Sequence, residues 1–262
     1  MLRVELHTHT SDDPVDRIPH STIELIDRAI ALGYDALAIT LHDAQLDLSP
    51  WQAYAADHGL LLIPGIERTI QGKHVLLVNV STDTRSVRTF EDLAALKRDE
   101  AGLVIAPHPF FPHASCLGGE LMDRHADLFD AVEYNAMFAW GANFNRAATR
   151  WARAHGKPMV GNGDVHRLRQ LGSTFSLVDA TPHPAAICEA VKAGRVQVVA
   201  TPLSWPATFS LAAELLVVEE LRGWLRPNSR SPIRTSAARL LRAGATEGRW
   251  SLGAGSYPRK NL

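Results

Sequence analysis

Short apolar runs alternate along the chain with segments whose apolar positions recur every three to four residues, the pattern of strands interleaved with amphipathic helices. Arg3–Leu6, Ala36–Thr40, Leu60–Pro64, Val75–Val80, Leu103–Ala106, Ala131–Tyr134, Pro158–Gly161 and Val196–Ala200 read as strands. Ser21-Thr22-Ile23-Glu24 is a capping-box signature, in which a serine hydroxyl and a glutamate carboxylate satisfy N–H groups of a first helical turn. It predicts a helix with Ile23, Ile26 and Ile30 on one face, closed by Gly33. Further helices are expected over Trp51–His58, Phe90–Ala101, Asn143–His155 and Ala185–Ala193. Apolar strands separated by helices predict a parallel sheet covered by helices, hence an α/β barrel or a doubly wound sheet.

The rhythm changes after Pro202. Phe209–Leu225 reads as one amphipathic helix, 227–232 as a linker and Thr235–Ala243 as a short arginine-rich helix. The expectation is a domain over 1–202 and a basic helical extension over 203–262.

Composition narrows the class. With 262 residues, 46% of them hydrophobic, the chain can bury a sizeable core, which excludes disorder. No apolar run is long enough to span a bilayer, and the first residues lack a signal-peptide pattern, so a cytoplasmic protein is expected. Cys116 and Cys188 are too few and too far apart for a disulfide framework or a thiolate zinc site. The formal charge of -1 averages two unlike parts: residues 203–262 hold 9 Lys+Arg and 4 Glu, leaving 18 basic and 24 acidic residues before them. The 12 histidines are the anomaly.

Their placement is informative. His7 and His9 follow the first predicted strand, His42 and Asp43 the second, and Glu67 the Leu60–Pro64 strand. His108 follows Leu103–Ala106, Glu133 and Asn135 close the Ala131–Tyr134 strand, and Asp164 and His166 follow Pro158–Gly161. His74 opens a strand, but a tight loop after Glu67 would bring it to the same end. In a parallel α/β barrel the carboxyl ends share one face, where active sites are built. Imidazole and carboxylate suit zinc, manganese or iron, and a carboxylate can bridge two ions. A lone His-X-His pair is a weak signal. Repetition at many strand ends is hard to obtain from packing, because such residues are seldom buried unless paired or metal-bound.

These ordered motifs resemble the polymerase and histidinol phosphatase (PHP) superfamily. Glu5-Leu6-His7-Thr8-His9-Thr10-Ser11-Asp12 matches its opening motif, Ala38–Asp43 the second and Pro64-Gly65-Ile66-Glu67 the third. His74 matches the next ligand, Ala106-Pro107-His108-Pro109 the fourth motif and Gly163-Asp164-Val165-His166 the last. The resemblance implies a distorted (β/α)7 barrel and up to three divalent ions (Zn, Mn or Fe). It gives His7, His9, Glu67 and Asp164 to the first ion; Glu67, His74 and His108 to the second; Asp12, His42 and His166 to the third. The loop after His9 is shorter than usual in the family, so Asp13, Asp16 and His20 are alternatives to Asp12. Leu41 stands where the family has an Asp.

The implied reaction is hydrolysis of a small phosphomonoester, with Glu67, Asp164 and His166 as the central catalytic residues. Arg17, Arg68 and His113 are candidate substrate contacts, followed by Arg146, Arg167 and Arg169. Only a short stretch separates His74 from His108, leaving no room for the inserted domain of nucleotide-specific members. Two further classes stay open: an amidohydrolase-like enzyme cleaving C–N or C–O bonds, and a metal-stabilised interaction module whose basic tail docks a protein or nucleic acid. Nucleic acid is possible as a partner but not favoured; a membrane is not expected.

Overall fold

The computed structural model describes residues 1–80, 83–99, 101–210 and 213. Its elements follow in the order β1 (Leu2–Glu5), α1 (Thr22–Ala31), β2 (Ala36–Ile39), α2 (Ser49–Asp57), β3 (Leu61–Ile70), β4 (Lys73–Val78), α3 (Phe90–Asp99) and β5 (Leu103–Ala106). Then come α4 (Gly118–Arg124), β6 (Ala131–Asn135), α5 (Asn145–Ala154), β7 (Met159–Asn162), β8 (Thr174–Val178), α6 (Pro184–Lys192) and β9 (Val196–Ala200).

The capping box forms as expected. Ser21 caps α1, its side chain accepting from Glu24 N–H while the Glu24 carboxylate accepts from Ser21 N–H. The buried face differs from the one the isoleucines marked: Thr22, Leu25, Ile26 and Ala29 are buried, and Ile23 is exposed. Packing against the sheet selected a stripe that includes a threonine and an alanine over the largest side chains.

The nine strands make one sheet in the order β7-β6-β5-β4-β3-β2-β1-β8-β9. It is mixed where an all-parallel sheet was expected. β4 runs antiparallel to both β3 and β5, and β8 antiparallel to both β1 and β9. The other seven strands share one direction. The cause of the first reversal is local: Gln71 (φ 50°) and Gly72 (φ 77°) are both left-handed, the conformation of a tight hairpin turn matched to strand twist. β8 and α4 were not anticipated. In β8 the buried positions are Thr174, Ser176 and Val178, so its inward face is largely polar and gives no apolar signal.

The two ends of the sheet meet at Gly161. Its N–H donates to Ser176 Oγ at 2.9 Å, and the same hydroxyl donates to Gly161 O at 3.1 Å. A Cβ at Gly161 would lie 2.6 Å from the Phe175 carbonyl oxygen, so only glycine permits this approach. The result is a nearly closed barrel. Strand alternation then sorts the core. Val4, Ala36, Ala38, Ile63, Leu76, Ile105, Ala131 and Val160 form one cluster with Ile187, Cys188, Ala190 and Val191 of α6. Leu37, Ile39 and Leu62 pack with residues of α1 and α2, and Leu77, Val104 and Val132 with residues of α3, α4 and α5.

Residues 205–210 are helical, starting before the predicted Phe209. The remainder of the predicted Phe209–Leu225 helix, the linker and the Thr235–Ala243 helix lie outside the described residues, residue 213 excepted. No helix among the described residues is long and apolar enough to cross a membrane.

Candidate metal centre

Chain segments keep pairing beyond the strand ends, and this sets the site. After β1, Thr8 bridges Val165: His9 N–H donates to Val165 O and Val165 N–H to His7 O, both at 3.2 Å. After β2, His42 bridges Glu67, with Asp43 N–H donating to Glu67 O at 2.9 Å. The β3–β4 hairpin places His74 opposite Thr69, two positions beyond Glu67. Three residues at the mouth, Asp43, His108 and Asp164, have positive φ (53°, 29° and 47°), a costly backbone state that turns the chain sharply there.

Five imidazoles converge on one carboxylate. Glu67 Oε2 lies 3.2 Å from His7 Nε2, 3.3 Å from His9 Nε2 and 3.1 Å from His42 Nε2. Its Oε1 lies 2.8 Å from His74 Nδ1 and 3.3 Å from His108 Nε2. Asp164 Oδ1 faces His7 Nε2 at 3.3 Å, His9 Nε2 at 3.6 Å and His166 Nδ1 at 3.3 Å. Of the expected ligands all but Asp12 fall into four overlapping groups with metal-binding spacing.

The far nitrogens of these rings are held by other carboxylates. His7 Nδ1 bonds Glu133 Oε1 at 2.8 Å, and Asp13 Oδ2 bonds both His9 Nδ1 and His42 Nδ1 at 2.9 Å. His166 Nε2 lies 2.9 Å from Asp16 Oδ2. A neutral imidazole that donates from one nitrogen presents a lone pair at the other. Lone pairs of neutral His7, His9 and His42 would then point at carboxylate oxygens, an arrangement that is relieved either by a cation between them or by a second proton on the rings. Consistent with that, His9 Nε2, His74 Nδ1 and Asp164 Oδ1 are buried with no hydrogen-bond partner. The donor set therefore fits hard-to-borderline divalent ions, with orienting carboxylates behind the ligand histidines.

Electrostatics reflect the same packing. Burial works to raise Glu67, but His7, His74 and His42 hold it well below the usual carboxylate range. Asp164 is treated alike by His7 and His166. Burial disfavours the charged form of His42, yet Glu67 and Asp13 push it up to about 10. His166 also rises to about 10, against burial, through Asp164 and Asp16.

Other expected residues stand elsewhere. Asp12 is exposed and accepts from Thr10 Oγ1 and Thr22 Oγ1; its neighbour Asp13 is the one that reaches the histidines. His20 reaches only the His9 carbonyl, at 2.9 Å. Leu41 packs in the core with Ile39 and Leu48. Arg68, on the strand position that alternates away from Glu67, bonds Asp43, Val87 O and Arg85 O, so its nitrogens are taken. Arg17 and Arg146 are exposed, and His113 is exposed on the loop after His108 and bonds Ser115 Oγ. Arg167 bonds the His166 carbonyl and Arg169 bonds Ser210 Oγ.

Two further groups escaped sequence reading. Cys116 Sγ lies 3.3 Å from His108 Nδ1, after a loop whose length hid the proximity. Glu5 is fully buried and accepts from His7 N–H and twice from Gly163 N–H. Burial pushes it up to about 8, only partly offset by these donors. A charged residue inside an apolar strand was the available signal.

Residues 142–196 match the model of the PHP-associated family. Among solved structures, PsfC from Pseudomonas syringae is 17% identical with a TM-score of 0.58, the match covering 84% of this chain and 100% of that one. A lesion-specific endonuclease from Pyrococcus furiosus is 17% identical with a TM-score of 0.51, covering 75% of this chain and 57% of that one. An amidohydrolase from Chromobacterium violaceum is 14% identical with a TM-score of 0.51, covering 79% of this chain and 96% of that one. At these identities the likeness is one of fold. No curated protein sequence matches the chain.

Proposed function

From the PHP resemblance that the ordered motifs and the family-model match carry, we propose that this protein is a metal-dependent hydrolase acting on a small phosphomonoester. The observation that carries the reading is the convergence of five imidazoles on Glu67. His7, His9, Glu67 and Asp164 would hold one ion, and Glu67, His74 and His108 a second. A third position falls to His42 and His166, with Asp13 beside them where the resemblance set Asp12. The seven co-directional strands support reading the sheet as a distorted (β/α)7 barrel.

Divalent ions in such a site supply an activated hydroxide at neutral pH and neutralise phosphoryl oxygens. The chain does the rest. Glu67, held anionic by its imidazoles, would be shared between two ions through its two oxygens. Asp164 is aimed by Asn135 Nδ2, which donates to its Oδ2 at 3.1 Å. His166 presents Nδ1 inward while Asp16 fixes its Nε2. Arg17, on the same loop as Asp13 and Asp16, offers a guanidinium to the phosphate, whereas Arg68 is committed to Asp43. Zinc, manganese and iron all suit the donor set.

The test joins metal analysis to turnover. Protein purified without chelator should carry at least one equivalent of Zn, Mn or Fe and hydrolyse p-nitrophenyl phosphate. Glu67→Ala should lose both metal and activity. Less than one equivalent of metal, with no activity restored by Mn2+ or Zn2+, would overturn the reading.

A further inference from the structure

The rings of the metal centre are not all held alike. Behind His7, His9, His42 and His166 stand the carboxylates of Glu133, Asp13 and Asp16, each at 2.8 or 2.9 Å. His108 is the exception, its Nδ1 facing Cys116 Sγ at 3.3 Å. His74 meets Glu67 through Nδ1, and among the described residues no carboxylate is paired with its Nε2. Both histidines of the second position therefore lack the carboxylate that backs the others.

The segment that carries Cys116 is fixed to both of these rings. His74 N–H donates to Ser115 O at 2.9 Å, and the neighbouring Lys73 Nζ donates to Ala114 O at 2.8 Å and to Cys116 O at 3.0 Å. Cys116 N–H donates to His113 O at 3.2 Å, and the residue is buried. Backbone bonds and burial thus hold the sulfur against His108, beside the strand end that presents His74. The same two side chains are 18% and 12% exposed, whereas His7 and His9 are fully buried; His166, at 15%, is backed by Asp16.

The chemical consequence follows from the partner. With Nε2 presented to an ion, the one proton of the ring sits on Nδ1, and His108 donates it to sulfur. A thiol is a weak acceptor, whereas a carboxylate behind the ring makes the facing nitrogen more basic; losing such a partner costs about 10–100-fold in metal affinity. We propose that Cys116 is a positioning residue that makes the second position, formed by Glu67, His74 and His108, the weakly held one, so that its ion exchanges while the others stay. The inference rests on the metal-dependent reading of the site and adds an order of affinity to it. Cys116 aims His108 without strengthening it.

The experiment titrates the Zn2+-loaded, full-length protein with a chromophoric chelator, alongside Cys116→Ser, Cys116→Ala, Cys116→Asp and His74→Ala. The wild type should release its ions in at least two classes, and His74→Ala should lack the weaker one. Cys116→Asp should tighten that class about tenfold, Cys116→Ser should keep it within about twofold and Cys116→Ala should weaken it, the tighter class staying unmoved in all three. Packing alone would not give this order, because serine and alanine would then behave alike. If circular dichroism shows that Cys116→Asp does not fold, the comparison of Cys116→Ser with Cys116→Ala decides. A single class, a weaker class that survives in His74→Ala, or serine and alanine variants that agree would overturn the inference and leave the phosphoesterase reading standing. The expected order without turnover of p-nitrophenyl phosphate would overturn that reading alone, and a protein that binds no metal would overturn both.

Discussion

One oxygen of Asp13 fixes two rings. Its Oδ2 accepts from His9 Nδ1, His42 Nδ1 and His42 N–H, and so aims both Nε2 atoms at Glu67. Asp13→Ala should weaken metal retention about 10–100-fold in competition with a chromophoric chelator, with the fold intact by circular dichroism. The same carboxylates set a pH dependence. With His42 and His166 pushed up to about 10, the metal-free rings are protonated at neutral pH, and loading must displace those protons. Apparent affinity should therefore rise with pH through neutrality. Calorimetry in buffers of different ionisation heat should show proton release, and its absence would contradict the assignment. Glu5 titrates in the opposite sense for folding. Its native value near 8 against an unfolded value of 4.5 means the stability it lends at low pH is lost as pH rises from about 4.5 through 8. Glu5→Gln should flatten that loss in urea titrations of metal-free protein at pH 5 and 8.5. At this scale the histidines were legible because their positions are unusual for packing. The choice of Asp13 over Asp12 was not, because one residue of register in a tight turn reverses which side chain points inward.

At the scale of elements, the site depends on segments that pair without resembling strands. β3 runs on through Glu67 and Arg68 to Ile70, and β4 begins with Lys73 and His74, so the hairpin that carries Glu67 and His74 is charged where a strand is expected to be apolar. Leu60–Pro64, Val75–Val80 and a tight loop between Glu67 and His74 could be read in advance, but not the extension of both strands through the charged residues between them. The α1 cap was legible for the converse reason: a capping box is a contact within four residues and needs no partner from elsewhere. Closure of the barrel lies between. Gly161 is visible in the sequence, but its need appears only when Phe175 O comes within reach. Gly161→Ala should lower stability by about 1–3 kcal/mol in urea unfolding, since the clash is with backbone and cannot be relieved by a rotamer. An unchanged midpoint would show that the sheet ends move apart at no cost.

For the whole molecule, the centre concentrates Glu67, Asp164, Glu133 and Asp13 with six histidines at one end of the barrel. Ions that bind the native cluster and not the unfolded chain must raise its stability by mass action. Chelator treatment should lower the thermal midpoint by roughly 5–10 °C, and Mn2+ or Zn2+ should restore it. Equal midpoints with and without metal would remove the ions from the folding equilibrium. The sequence by itself determined the α/β class, the order of most elements and which histidines stand at strand ends, because hydrophobic period, capping chemistry and residue rarity are local properties of the chain. Only the tertiary structure decided the reversed β4 and β8, the commitment of Arg68 to Asp43 and the contact of Asp13 with the histidines. Each of these depends on which remote segment lies opposite. That is fixed by how the sheet twists and closes, a property that no window of the sequence contains.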